Sequence, residues 1–149
     1  MQTINNLQLP PAKPSDRPHI LLIENVDETH LQHISFYNNA KRINYRQNLL
    51  NRLKPADKFL LLHLHLDREL NAIRFICAEN KSEVIILDKL DYLITYLAIS
   101  PNSILSLFWQ KLSTMRHLEA VLWIVLPPTL TPPPVWPEKQ IFRLYTSSN

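Results

Sequence analysis

Not one glycine occurs among the 149 residues, where ordinary usage of roughly 7% would place about ten. Phosphate-binding loops need glycine because their backbone turns through positive φ angles and closes on the phosphates. The glycine-rich turn of dinucleotide-binding folds is excluded for the same reason. Cysteine is nearly absent as well. Cys77 stands alone, which rules out an internal disulfide and suits a reducing cytoplasm. Charged residues make up only 19%, few enough to leave apolar surface for a partner. The formal net charge of +3 does not by itself demand nucleic acid. No apolar run approaches the roughly 18 residues of a membrane span, and the longest candidate, "AVLWIVLPP", stops at two prolines.

What is present is a chain 46% hydrophobic, long enough for one domain with a sizeable core. Residues 1–18 carry Pro10, Pro11, Pro14 and Pro18 in a polar setting and lack the apolar core of a signal peptide. They are expected to form a flexible tail, with residues 19–149 as a single α/β domain, soluble and cytoplasmic.

Along that domain, "HILLIEN" (19–25) is a buried strand. "VDETHLQHISFYNNA" is ambiguous: Asp27 suits a helix cap, whereas "HISFY" suits a strand. In "KRINYRQNLLNRLK" (41–54), Ile43, Leu49, Leu50 and Leu53 fall near one helical face and Pro55 ends it. "KFLLLHLHL" (58–66) predicts a strand. Asp67 then caps a helix striped by Leu70, Ile73 and Cys77. "EVIILD" predicts a strand and "YLITYLAI" a short helix. Ser100 and Pro101 open a helix striped by Ile104, Phe108, Leu112 and Met115. "EAVLWIVL" is another buried strand. "PPTLTPPPVWP" is a stiff loop, and "KQIFRLY" (139–145) a terminal strand expected to pair antiparallel at an edge. Strands with almost no polar alternation, set between helices, predict a three-layer α/β fold of the RecA/Rossmann-like kind: a mainly parallel sheet, helices on both faces, no P-loop.

Several groups are chemically eligible. Asp88 ends the "VIILD" strand with Asp91 three positions on, the pattern of a magnesium ligand or general base in strand-end sites. Without the rest of a phosphate site, the favoured reading is structural, with Asp88 capping the next helix. A receiver-type domain, which also needs an acid cluster near Glu24, Asp27 and Glu28, is the weaker reading. The pairs His30/His33 and His63/His65 have zinc-compatible spacing but no cysteine partner. Cys77 lies in an apolar stripe, where a thiol is inert. The motif "PVWP" is either a rigid connection or a partner element. The segment 41–58 is one-sidedly basic: Lys41, Arg42, Arg46, Arg52, Lys54 and Lys58 face only Asp57, with Tyr45 among them. It reads as a docking surface, against the plainer reading of a solvated helix face.

The order of elements, the Asp88 strand and the missing P-loop together resemble a RecA-like core that has lost its nucleotide site. Within that group the chain resembles the SulA family of SOS-induced cell-division inhibitors. "DRPHILLIEN" is similar to the family's arginine-led strand and "ADKFLLLHLHLDRELNAIRFICAEN" to its lysine-led strand and helix. "SEVIILDKLD" resembles the acid-ended strand, "LEAVLWIVLPP" the strand closing on proline, and "IFRLY" the tail. The resemblance implies a protein that is not an enzyme and needs no cofactor or metal. Such a protein binds FtsZ and blocks its polymerisation. The family's basic partner-binding positions fall on Arg17 and Lys58. Joined to the basic segment, the expected binding face is Arg17, Tyr45, Arg46, Arg52 and Lys58 on one rim, with Tyr45 as aromatic anchor. The alternative is a DNA-repair or recombination accessory that contacts nucleic acid or a RecA-like partner. No membrane is expected, and a homodimer is compatible with the sequence.

Overall fold

Among the described residues five strands, all parallel, form one sheet in the order β2-β3-β4-β1-β5. The structure is a computed structural model and describes residues 8–10, 12–13, 16–24, 27–52, 65–80, 82–99, 104–116, 118–134 and 136–144. In chain order the elements are β1 (His19–Ile23), α1 (Glu28–Tyr37), β2 (Lys41–Asn44), α2 (Tyr45–Arg52), α3 (Leu66–Glu79) and β3 (Val84–Asp88). They continue with α4 (Asp91–Ala98), α5 (Ile104–Ser113), β4 (Val121–Leu126) and β5 (Ile141–Leu144). The fold is the expected three-layer α/β architecture. No helix among the described residues is long and apolar enough to cross a membrane.

The two faces of the sheet are covered unequally. Successive strand residues alternate between faces. Ile20, Leu22, Ile85, Leu87, Leu122 and Ile124 pack beneath α2, α3, α4 and α5 in the larger core. Leu21, Ile23, Ile86, Trp123 and Val125 face the other way, onto Leu31 and Ile34 of α1. Handedness explains the division. The crossover from β1 to β2 runs one way along the sheet, and those from β2 to β3 and β3 to β4 run the other. Right-handed crossovers of opposite direction lie on opposite faces. What α1 leaves open, Leu9 and Ala12 help to cover. Leu9 is buried, and its N–H donates to Asn38 Oδ1 at 2.7 Å. Part of the segment expected to be a free tail is thus packed against the domain.

Local chemistry accounts for the boundaries. Asp27 caps α1: its Oδ1 accepts from His30 N–H at 2.8 Å, and the Asp27 N–H donates to His30 Nδ1 at 3.4 Å. That reciprocal bond resolves the ambiguous stretch as helix throughout, including "HISFY". Residues 41–44, expected to open a helix, instead form the short edge strand β2, in register from Lys41 opposite Ile85 to Asn44 opposite Asp88. Pairing with a buried neighbour overrides a helical pattern that held only from Tyr45 onward. Asp67 is not the cap of α3. That helix begins one residue earlier, at Leu66, and the preceding His65 makes no side-chain cap bond. The strand expected at 58–66 and the helix start at Ser100 and Pro101 fall mostly outside the described residues.

The last strand is a correction. β5 lies parallel to β1, with Ile20 opposite Ile141 and Ile23 opposite Leu144. The connection from β4 therefore has to run back along the whole sheet, and among the described residues it does so with only two single 3-10 turns, Pro128–Leu130 and Glu138–Gln140, and no α-helix. The proline loop makes that return, because proline holds the chain extended at about 3.1 Å per residue. Trp136 of "PVWP" is buried in the larger core and meets Trp109 of α5 edge-on, with centroids 5.6 Å apart. The motif thus supplies the packing that a crossover helix would have supplied.

In a chain without glycine, two residues among those described take the left-handed conformation. Asn39 (φ 50°) ends the turn after α1, and Lys89 (φ 69°) joins β3 to α4.

Cys77 is buried in the α3 stripe, and burial pushes its thiol up to about 12. It should therefore stay unreactive toward a disulfide reagent at pH 8 until denaturant opens the core. Stoichiometric modification of the native protein within minutes would contradict this packing.

Candidate functional site

Neighbouring strands β1 and β4 send their chains in opposite directions, β1 toward β2 and β4 past β1 to β5. In an open α/β sheet, ligands bind at the carboxyl ends of strands where the order switches in this way. A crevice of about 250 Å³ lies there, lined by Ile23, Asp88, Lys89, Asp91, Leu126 and Pro127 among others. This volume is a little below the roughly 300–1,000 Å³ of small-molecule clefts.

Asp88 reaches the crevice but is already engaged. It is buried, and its Oδ2 accepts from Arg42 Nη2 at 2.8 Å. Arg42 also donates through Nη1 and Nη2 to the exposed Glu28, the latter bond at 2.7 Å. One guanidinium on edge strand β2 therefore ties β3 to the start of α1. Hydrogen bonding to Glu28, outweighing burial and reinforced by Asp88, holds Arg42 firmly protonated. Asp88 does not cap α4, whose preceding residue is Leu90 and which has no side-chain cap bond. A magnesium nucleotide does not fit these residues. The strand-end carboxylate carries a fixed cation, Lys89 adds another at the rim, and no loop among the described residues replaces the glycine loop. Asp88 Oδ1 and Arg42 Nε are buried with no hydrogen-bond partner among the described residues.

A second charged cluster joins α2 to α3. Glu69 is fully buried. It accepts from the Tyr45 hydroxyl, from Arg52 Nη2 at 2.8 Å and Nη1 at 3.2 Å, and from Arg68 Nε at 3.2 Å. Burial alone would raise the Glu69 carboxyl, but the hydrogen bonds from Arg52 and Tyr45 outweigh it and hold the group below its usual range. Burial, followed by the charge of Glu69, pushes the Tyr45 hydroxyl far upward, so it stays a neutral donor.

Of the five residues expected to share one rim, the four that are described, Arg17, Tyr45, Arg46 and Arg52, do not form one exposed face. Tyr45 is buried, so it offers no ring to a partner. Arg52 points with it toward Glu69. Arg46, on the other side of α2, is exposed and lies over the Tyr92 ring at 5.5 Å. Arg17 precedes β1 at the amino end of the sheet, whereas Arg46 follows β2 at the carboxyl end. Burial and then repulsion from Arg116 lower the Arg17 guanidinium. Lys58 lies outside the described residues. His30 is part of the α1 cap, His65 precedes α3, and His63 is not among the described residues. No group of three metal-ligating side chains occurs among the described residues.

Sequence reasoning counted Arg42 only as part of the basic docking segment, and it missed Glu69, Arg68 and Tyr92. Glu69 left a signal: it falls on the same helical stripe as Leu66, Leu70, Ile73 and Ile76. A carboxylate on an apolar stripe requires a buried cation. Tyr92 left none.

Comparison of the chain with protein-family models finds no match, and comparison with curated proteins finds none either. The class the fold defines is therefore the three-layer parallel α/β architecture. Its distinguishing mark is an arginine bound to the acid that ends a central strand.

Arg42→Ala should destabilise the protein by about 3–5 kcal/mol, because it leaves Asp88 buried without its cation. The double variant Arg42→Met, Asp88→Leu should recover most of that loss, as measured by denaturant unfolding. Acidification is a second measure. Glu69 has a folded value below its ordinary 4.5, so it contributes stability that is complete above that pH and lost as pH falls through the folded value. Glu69→Gln should flatten the pH dependence of unfolding below about pH 4.5.

Proposed function

We propose that the chain is a non-catalytic protein-interaction module, an inhibitor that binds FtsZ and blocks its polymerisation. The supporting observation is the Arg42–Asp88 pair. On a RecA/Rossmann-like scaffold, the strand-end acid that would serve a nucleotide is instead part of a structural bridge. A glycine-free chain offers no phosphate loop beside it. What remains on the surface nearby is Arg46 over Tyr92 with the exposed Leu50 beside them on α2. Arginine and tyrosine are the side chains that most often dominate binding energy at protein interfaces. Tyr92 thereby takes the anchor role expected of Tyr45. The FtsZ assignment comes from the sequence resemblance, and the cytoplasm is the compartment that goes with it. An inhibitor of this kind needs only to occupy one end of a protomer to stop head-to-tail growth.

FtsZ polymerisation, followed by light scattering and sedimentation, tests this directly. Wild-type protein in several-fold molar excess should suppress assembly. Arg46→Glu should weaken that effect by about 1–3 kcal/mol, roughly 5- to 150-fold in affinity, without changing the melting temperature. Assembly unaffected by the wild type would remove FtsZ as the partner. Calorimetry should detect no magnesium-dependent ATP binding, and a micromolar site would end the non-catalytic reading. Steeply salt-dependent binding to arbitrary DNA would instead favour the nucleic-acid accessory.

A further inference from the structure

The groove between α2 and α3 brings together charge and apolar surface that the fold does not use. Asn48 and Arg52 from α2 and Arg68, Asn71, Ala72 and Phe75 from α3 line an opening of about 390 Å³. That lies within the roughly 300–1,000 Å³ typical of ligand sites.

Its floor is rigid. Arg52 is held by two bonds to Glu69 and by a third, from Nε to Asn48 Oδ1 at 2.8 Å. One guanidinium is enough to neutralise one carboxylate, and Arg52 already does so. Arg68 is therefore surplus. It gives Glu69 only its Nε, and its two terminal nitrogens have no hydrogen-bond partner among the described residues. Glu69 thus acts as a post that fixes the angle of a spare guanidinium at the groove.

Two turns further along α3, Phe75 is 62% exposed. The exposed ring and the terminal guanidinium nitrogens that Glu69 leaves unpaired give one groove both an apolar and a charged contact for the same ligand. The rise of the helix sets the two side chains about 10 Å apart along its axis. An extended polyproline-II segment presents residues three apart on the same side, separated by about 9 Å. Such a segment makes no internal backbone hydrogen bonds. Asn48 and Asn71, whose amides both donate and accept, are placed to supply them.

We propose that this groove binds an acidic peptide segment of a protein partner, held extended, with a carboxylate on Arg68 and an apolar side chain three residues away on Phe75. The inference rests on reading the chain as a protein-binding module, but not on the identity of FtsZ. Charge favours peptide over nucleic acid. Single-strand binders line up a row of cations along the phosphates. Here one surplus arginine sits beside mostly apolar walls, and Asp67 and Glu69 stand next to it on α3.

The test uses the full chain on an array of synthetic ten-residue peptides in which acidic and apolar positions are permuted. Selected peptides are then titrated by fluorescence anisotropy. Binding should require an acid and an apolar residue three positions apart. Arg68→Ala and Phe75→Ala should each weaken it at least tenfold, with melting unchanged because both side chains are exposed and Arg52 still satisfies Glu69. Arg68→Lys should retain part of the affinity, and Lys139→Glu, on the exposed turn before β5, should leave it unchanged. If FtsZ assembly is unaffected while peptides bind in this Arg68-dependent way, the groove stands and only the FtsZ reading falls. The groove proposal is overturned if no array peptide binds, or if binding ignores both Arg68 and Phe75. It is equally overturned if a single-stranded ten-nucleotide probe displaces the peptide at equal concentration.

Discussion

A carboxylate shut away from water keeps its charge only where cations and hydrogen-bond donors surround it, and two are buried among the described residues. Glu69 on α3 collects Arg52, Arg68 and Tyr45. Asp88 at the end of β3 collects Arg42. Each requirement fixes the position of a neighbouring element. Glu69 ties α2 against α3 through Tyr45 and Arg52. Asp88 ties edge strand β2 to β3 and, through the same guanidinium, to Glu28 at the start of α1. The basic residues of segment 41–52 are therefore divided among tasks. Arg42 and Arg52 serve the interior, and Arg46 remains on the surface.

That division changes how the basic segment is read. Counted along the chain, its cations look like one docking stripe. In the fold, α2 turns Tyr45, Leu49 and Arg52 inward and Arg46 and Leu50 outward. The proposed partner surface thus has two parts on opposite sides of one helix: Arg46 with Tyr92 toward α4, and the Arg68–Phe75 groove toward α3. The first is a cation–aromatic contact, and the second sets a guanidinium and a ring about 10 Å apart on one helix; both cations are arginines, whose delocalised charge loses less on leaving water than a lysine ammonium does.

The missing glycine shapes the fold as much as the buried acids do. It closes the route to a phosphate loop, and it leaves Asn39 and Lys89 to make the turns that glycine would make elsewhere. Lys89 sits at the mouth of the strand-end crevice, so a lysine held in a left-handed conformation lies where related architectures bind their ligands. The proline loop answers a similar need. Without a crossover helix after β4, Trp136 and Leu130 cover the sheet in its place.

The sequence by itself determined the fold class and most of the elements. Strands such as "VLWIVL" and "HILLI" are apolar at every or nearly every position, and only a sheet covered on both faces can hide them. Local composition likewise decided the absence of a phosphate loop and the helical stripes of α3 and α5, and it offered Asp27 as a cap while leaving helix or strand open after it. Tertiary structure alone decided that "KRIN" is a strand, that β5 runs parallel, that Tyr45 is buried and that Arg17 and Arg46 lie at opposite ends of the sheet. Each of those depends on a partner distant in sequence: Asp88 for Arg42, β1 for β5, Glu69 for Tyr45. Periodicity records which way a side chain faces relative to its own element, and it carries no information about which distant charge will be waiting there.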